Sequence, residues 1–241
     1  MFTATWALLR FQKLPLSAMG FDQPLLRSRE LLGGLVLAAS FSVLQHMYLA
    51  AAGGFSWQFN ADYSLAGFLG GLRYNVNSVL YEEFLFRGWL LFMAVRYLGP
   101  ARATVLSSVV FGIYHWFSFG VFGHLVPMLF VFVVTGLAGW MYTAAFVKSG
   151  SLALPIGLHF GWNYTGLVVF SNGNIGAHLL IPDVPAPGRL GDAASLVYTG
   201  ISILLPIAAL LLLRNKPNQL VEAKSGTQTA AGLRPKAEPT G

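Results

Sequence analysis

The sequence predicts an all-α membrane protein, a polytopic bundle of about six transmembrane helices. Hydrophobic residues make up 55% of the 241-residue chain, and charged residues only 10%. A soluble domain carries about 25% charged residues. The mean hydropathy is +0.62. Because so few charges cannot cover a water-exposed surface, the composition excludes a soluble globular enzyme.

Six apolar segments are long enough to be membrane spans, since a transmembrane helix needs roughly 20 mostly apolar residues. They are residues 31–53, 64–98, 102–119, 124–147, 151–171 and 194–213. The second segment, as one helix of about 35 residues, measures about 50 Å and exceeds the ~30 Å hydrocarbon core. We therefore expect it to cross once and to be tilted, to be broken, or to begin with an interfacial piece around residues 65–77. The break is predicted near the polar residues Arg73, Asn75 and Asn77.

The remaining segments define the domain organisation. Residues 1–30 are predicted to form a cytoplasmic or interfacial N-terminal segment, and residues 31–214 the membrane-embedded domain. Residues 215–241 are polar and rich in Gly, Pro, Lys and Thr, which predicts a disordered cytoplasmic tail. Residues 172–192 form a loop rich in Pro and Gly. We expect neither a cleavable signal peptide nor an internal repeat.

The basic residues lie at the ends of the apolar segments. Four Lys and Arg residues precede the first span and five follow the last, whereas the segment 54–63 has none. Lys and Arg are enriched in cytoplasmic loops of membrane proteins, so both termini are predicted to be cytoplasmic, with the cell inner membrane as the expected location. The net charge of +6 is thus interpreted as a topology signal, and no nucleic-acid partner is expected. The chain has no cysteine, which excludes disulfides, thiol catalysis and Cys-ligated metals.

Ionisable residues inside the spans are the candidates for function, because each costs about 2.5–3.5 kcal/mol in a bilayer. The first group is the run Glu82-Glu83-Phe84-Leu85-Phe86-Arg87-Gly88. Glu83 and Arg87 are four residues apart, which favours an ion pair on one helix face. Glu82 lies about 100° round the helix and has no such partner. One carboxylate is therefore predicted to be structural and the other to be available for chemistry.

Two histidine patterns follow on later spans. His115 ends the run Phe111–His115, and a lone histidine in an apolar span is more often a buried core residue than a catalyst. His159 and Asn163 share one helix face and can donate hydrogen bonds to one point, or they can join helices. By helix rise, these groups and Glu82 can meet near the middle of the membrane. His46 has no partner pattern, and His124 and His178 are predicted to lie at the surface.

The three motifs EExxxRG, FxxxH and HxxxN, in this order on successive spans, resemble the type II CAAX prenyl proteases, also called ABI or CPBP intramembrane proteases. The resemblance covers about residues 64–170. It implies peptide hydrolysis in a membrane-associated substrate, a prenylated CAAX-type protein or a bacteriocin-like peptide. The expected partners are therefore the lipid bilayer and a peptide or lipidated protein.

The resemblance also implies a role for each motif residue. Glu82 acts as general base on a water, and His115 helps to hold that water. His159 and Asn163 stabilise the oxyanion. Glu83 and Arg87 resemble the structural ion pair of the family.

Other interpretations use the same residues. Glu82, His115 and His159 could be three ligands of a catalytic zinc, with a water in the fourth position. The HxxxN pair favours the oxyanion site, and the sequence has no HExxH motif. We therefore expect that no cofactor is required, with zinc as the alternative. A further alternative is a non-catalytic, immunity-type membrane protein or a small transporter, although transporters usually contain internal repeats.

Overall fold

The computed structural model describes residues 1–170, 178–184 and 190–220, and it confirms the predicted all-α architecture. Eight α-helices are present in these ranges. They are α1 Phe2–Phe11, α2 Pro24–Gly53, α3 Leu65–Phe86, α4 Trp89–Leu98, α5 Pro100–Ser118, α6 Leu125–Ser149, α7 Ala153–Tyr164 and α8 Asp192–Leu213.

Three of the described helical segments have the length and hydropathy of a membrane span: Leu16–Gly53, Leu125–Ser149 and Asp192–Leu213. The helices α3, α5 and α7 carry the polar motif residues, which lower their hydropathy. The helix α7 is also short, at about 18 Å, although a π-helical turn, Thr165–Val169, continues it. Six crossings therefore remain a prediction.

The predicted break in the second segment was placed wrongly. The helix α3 runs through Arg73 and Asn77 without interruption, and the chain breaks at Gly88. The Asn75 amide nitrogen donates to Gly71 O at 3.1 Å within the helix, whereas its Oδ1 is buried without a partner among the described residues. At Gly88 an added Cβ would lie 2.1 Å from Phe84 O. Glycine is required there because any side chain would collide with this carbonyl of the preceding helix.

The helix α7 packs closely along α2, and two glycines permit this approach. A Cβ added at Gly157 would lie 2.1 Å from Leu31 O, and one added at Gly161 would lie 2.4 Å from Leu35 O. Small residues allow helix backbones to come together in membrane bundles. His159 lies two residues from each glycine and therefore about 200° round the helix. The close packing on α2 thus turns His159 towards α3 and α6.

A small antiparallel sheet joins two loops that the sequence analysis did not connect. Strand β1, Trp57–Phe59, pairs with β2, Leu180–Pro182, with Gln58 opposite Ile181. The predicted loop 172–192 therefore contains a strand. The parts of that loop at 172–177 and 185–189 lie outside the described residues.

Both ends of the described chain pack on the bundle. Leu9 and Met19 are fully buried in the same cluster as Leu91 of α4 and Phe146 of α6. The helix α2 begins at Pro24, earlier than the predicted start of span one at 31. Leu220 belongs to the same cluster and is buried. Of the predicted tail 215–241, residues 221–241 lie outside the described residues.

Candidate active site

The structure brings the three motifs together from α3, α5 and α7. Glu82 Oε2 lies 3.9 Å from His115 Nε2 and 3.8 Å from His159 Nε2. The three side chains are 13%, 10% and 5% exposed, respectively. Three polar groups separated by up to 77 positions in sequence therefore face a common point inside the bundle.

The ring of His115 is oriented by its own helix. Its Nδ1–H donates to Phe111 O, one turn earlier, at 2.8 Å. The Phe111 ring also packs against the imidazole, with the centroids 4.4 Å apart. Because a carbonyl can only accept, Nδ1 carries the proton, and in the neutral ring Nε2 has a free lone pair. That lone pair is on the nitrogen nearest Glu82.

His159 is oriented by a residue on a different helix. Its Nδ1–H donates to Glu83 Oε1 at 2.7 Å. Tyr142 of α6 stacks on the imidazole, with centroids 4.7 Å apart and an interplanar angle of 17°. The sequence analysis predicted neither contact. Glu83 therefore fixes the ring so that Nε2 is directed at Glu82.

Glu83 and Arg87 are in contact and fully buried, with Nη1 3.3 Å from Oε1. The guanidinium also donates to Gly139 O at 3.3 Å and lies 4.3 Å from the centre of the Phe111 ring. Glu83 Oε1 thus accepts from both Arg87 and His159. The ion pair is part of the structure that positions the candidate site.

Asn163 follows His159 by one turn on α7 and is half-buried. It makes no hydrogen bond to another residue in the described part of the chain. The π-helical turn begins two residues later, at Thr165, and such turns are frequent at functional sites. The Asn163 amide is therefore not committed to holding the described fold together.

When both imidazole rings are neutral, the three converging atoms, Glu82 Oε2, His115 Nε2 and His159 Nε2, are all hydrogen-bond acceptors. Glu82 Oε2 is buried and has no hydrogen-bond partner among the described residues. An unpaired buried acceptor costs free energy, so this arrangement requires a proton, the hydrogens of a water, or a cation between the three atoms. Chemically, the site is suited to holding and deprotonating a water.

The donor set also fits the chemistry of zinc, although its spacing is wide. Histidines that bind metals usually donate their other ring N–H to a carbonyl or carboxylate, as His115 and His159 do. Tetrahedral zinc ligands lie about 3.4 Å apart, given bonds of ~2.0–2.1 Å. The atoms here are up to 3.9 Å apart, and within the described ranges no three His, Cys, Asp or Glu side chains are arranged to hold a metal ion.

Comparison with known protein families identifies the part of the chain that contains this site. Residues 64–165 match the family model described as type II CAAX prenyl endopeptidase Rce1-like. The resemblance to the type II CAAX prenyl protease family is confirmed. Glu82, His115, His159 and Asn163 all lie within the matched segment. No curated protein and no solved structure matches the chain.

The matched segment is less than half of the chain, and its family description supports a CAAX-type endopeptidase function in general terms. Together with the three long apolar helices, the match indicates an integral membrane protein. The helices α2 and α8 lie outside the matched segment, but α2 packs against α7, where two of the motif residues lie.

The other histidines are placed apart from the motif residues. His46 is buried and stacks on Phe170 at 4.6 Å, with its Nδ1 bonded to Ser42 O. His124 is exposed, as predicted, whereas His178 is half-buried. No described contact links any of the three to Glu82.

Proposed function

We propose that the protein is an intramembrane endopeptidase in which Glu82 activates a water. The observation that carries the proposal is the position of the Glu82 carboxylate, which faces two histidine nitrogens and has no other described partner. The match of this segment to a CAAX-type endopeptidase family supports peptide hydrolysis as the reaction.

The geometry suits a single water bound by Glu82 and His115. Two atoms 3.9 Å apart can both lie about 2.8 Å from one water, an ordinary hydrogen-bond distance. Glu82 then takes a proton as the water oxygen attacks the scissile carbonyl carbon. When the peptide C–N bond breaks, Glu82 returns that proton to the leaving nitrogen, so the water is divided between the two products.

His159 and Asn163 are proposed to stabilise the developing oxyanion. His159 can do so only when Nε2 carries a proton, and the Glu83 carboxylate on Nδ1 can compensate the resulting positive charge. The Asn163 amide lies one turn further along α7. Preorganised donors of this kind are worth more in a site that excludes water.

The proposed substrate is a membrane-associated peptide, of the prenylated CAAX type or bacteriocin-like. The test uses the full chain reconstituted in lipid vesicles, with a peptide that ends in a lipidated cysteine and three further residues. We expect mass spectrometry to detect the released C-terminal fragment. An unlipidated peptide of the same sequence measures the contribution of the lipid. If no membrane peptide is cleaved by correctly inserted protein, the non-catalytic alternative is favoured.

Orientation is a further prediction. Both termini are proposed to be cytoplasmic because Lys and Arg alternate between the loops. Reporter fusions at Pro100 and Gly150 should therefore report the cytoplasm, and a fusion at Ser56 the opposite side. A cytoplasmic signal at Ser56 would contradict the topology.

Zinc-dependent hydrolysis is the second candidate, and the orientation of the two histidine rings favours it. Glu82, His115 and His159 would hold the ion, which would supply Lewis acidity and lower the pKa of a bound water. In that case Asn163 is not a ligand, and its loss should reduce the rate by only about 10–100-fold. Removal of an oxyanion donor reduces the rate by about 10²–10³-fold, so rates alone do not separate the mechanisms.

Measuring the metal content of the purified protein distinguishes the general-base mechanism from the zinc mechanism. We expect the protein, purified without a His-tag, to contain substoichiometric zinc by mass spectrometry, and its activity to survive treatment with a chelator. This result follows if Glu82 acts directly as the base. One zinc per chain, with activity lost on its removal and restored on its return, would replace the general-base mechanism and leave the set of site residues intact.

A further inference from the structure

Helix α1 exposes apolar side chains on most of its surface. Only Thr5 and Leu9 are buried, and they form a narrow stripe against α3 and α4. The exposed fractions of Phe2, Trp6 and Phe11 are 46%, 46% and 88%. A helix of ten residues measures about 15 Å and cannot cross a ~30 Å hydrocarbon core. Its apolar surface must be covered in another way.

The buried stripe of α1 lies across the joint between α3 and α4. Thr5 Oγ1 lies 2.7 Å from the position that a Cβ on Gly88 would occupy. Gln12 accepts a hydrogen bond from Trp89 Nε1 at 3.2 Å. Phe2 packs edge-on against Phe84, with centroids 5.3 Å apart. Since Glu83 and Arg87 directly precede this joint, α1 supports the end of the helix that carries the candidate site.

The charged residues of the N-terminal segment indicate which surroundings cover the apolar side chains of α1. Residues 1–21 contain Arg10 and Lys13 and no Asp or Glu. Both basic side chains are exposed. Short helices that combine exposed Trp and Phe with basic residues lie in the membrane interface. There each Lys or Arg is attracted to anionic headgroups.

We propose that α1 is an interfacial helix that binds anionic phospholipid headgroups through Arg10 and Lys13, and that this binding holds the α3–α4 joint in place. The proposal uses only the membrane location of the protein and does not depend on the peptidase mechanism. The helix α1 packs against Gly88 at the α3–α4 joint. Binding of α1 to an anionic membrane surface should therefore stabilise the folded bundle.

The test compares vesicles of phosphatidylcholine alone with vesicles in which one third of the lipid is phosphatidylglycerol. Anionic lipid should raise the thermal unfolding midpoint of the wild-type chain. The double variant Arg10→Gln/Lys13→Asn should lose this gain, on the order of 2–4 °C for each basic residue. Asparagine is chosen at Lys13 because its φ is +58°, and asparagine tolerates that conformation.

The matched control is Lys224→Gln/Lys236→Gln, which removes the same charge at positions that follow the last residue of α8 by 11 residues or more, and it should keep the gain. High salt should abolish the gain in the wild type, and inorganic phosphate added to phosphatidylcholine vesicles should not reproduce it. The proposal is overturned if the double variant keeps the gain, or if the control loses it equally.

A second measurement does not depend on those variants. The chain lacks cysteine, so Phe11→Cys gives a single labelling site at an exposed position. A fluorophore there should be quenched by a lipid that carries a quencher at headgroup depth. Quenching only by a water-soluble quencher would show that α1 lies in solution and would overturn the proposal.

Discussion

Replacing Glu82 with glutamine is expected to abolish peptide hydrolysis while the protein remains folded and inserted. Glutamine has nearly the same shape but cannot take a proton from water. A general base contributes about 10²–10⁴-fold to a rate, so we expect a loss of that order in the initial rate of fragment release from vesicles. The fold should not change, because no described hydrogen bond depends on Glu82 Oε2.

The control for loss of one negative charge is Asp62→Asn. Asp62 is exposed in the loop before α3, and its replacement should leave both the rate and the unfolding midpoint unchanged. Wild-type activity in the Glu82→Gln variant would show that another group activates the water. A Glu82→Gln protein that fails to fold would show that the carboxylate is part of the structure.

The bundle and the meeting of the motifs could be predicted because both follow from the cost of polar groups in lipid. Long apolar segments predict the helices. Ionisable residues such as Glu82 and His159 cost free energy when they face lipid, so they are expected to face one another inside the bundle. The separation of roles between Glu82 and Glu83 followed from helix geometry alone. In the structure these two carboxylates do have different surroundings.

The details that could not be predicted depend on contacts between distant segments. The break was expected near Asn75, but the amide nitrogen of that side chain donates to a carbonyl of its own helix, which continues without interruption. The actual break lies at Gly88, where a side chain would collide with Phe84 O of the preceding helix and with Thr5 of α1. A single glycine after Arg87 carries no sign of this partner in the sequence.

The partner of His159 was missed for the same reason. Glu83 already had a local partner in Arg87, and no pattern in the sequence pairs it with a residue 76 positions away. Tyr142 looked like part of an apolar span, although it stacks on the His159 ring. Such contacts are fixed by how α3, α6 and α7 pack, and helical periodicity does not define that arrangement.

Replacing Glu83 with alanine is expected to have the largest effect on stability. The substitution leaves the guanidinium of Arg87 buried without its charge partner, because both side chains are fully buried. Breaking a buried ion pair on one side costs about 3–5 kcal/mol. We expect the free energy of unfolding, measured by denaturant titration in detergent, to fall by that amount. The rate should also fall because His159 Nδ1–H loses its acceptor.

The double variant Glu83→Gln/Arg87→Met separates the effect on stability from the effect on the rate of hydrolysis. It removes both charges and keeps similar side-chain volumes, so much of the lost stability should return. A neutral amide cannot compensate a positive charge on His159 as the carboxylate can, so the rate of peptide hydrolysis should stay low. If the rate returns together with stability, Glu83 is only structural, and its contact with His159 has no role in the reaction. If Glu83→Ala costs less than about 1 kcal/mol, which is the range of an exposed pair, the ion pair does not hold α3 in the bundle.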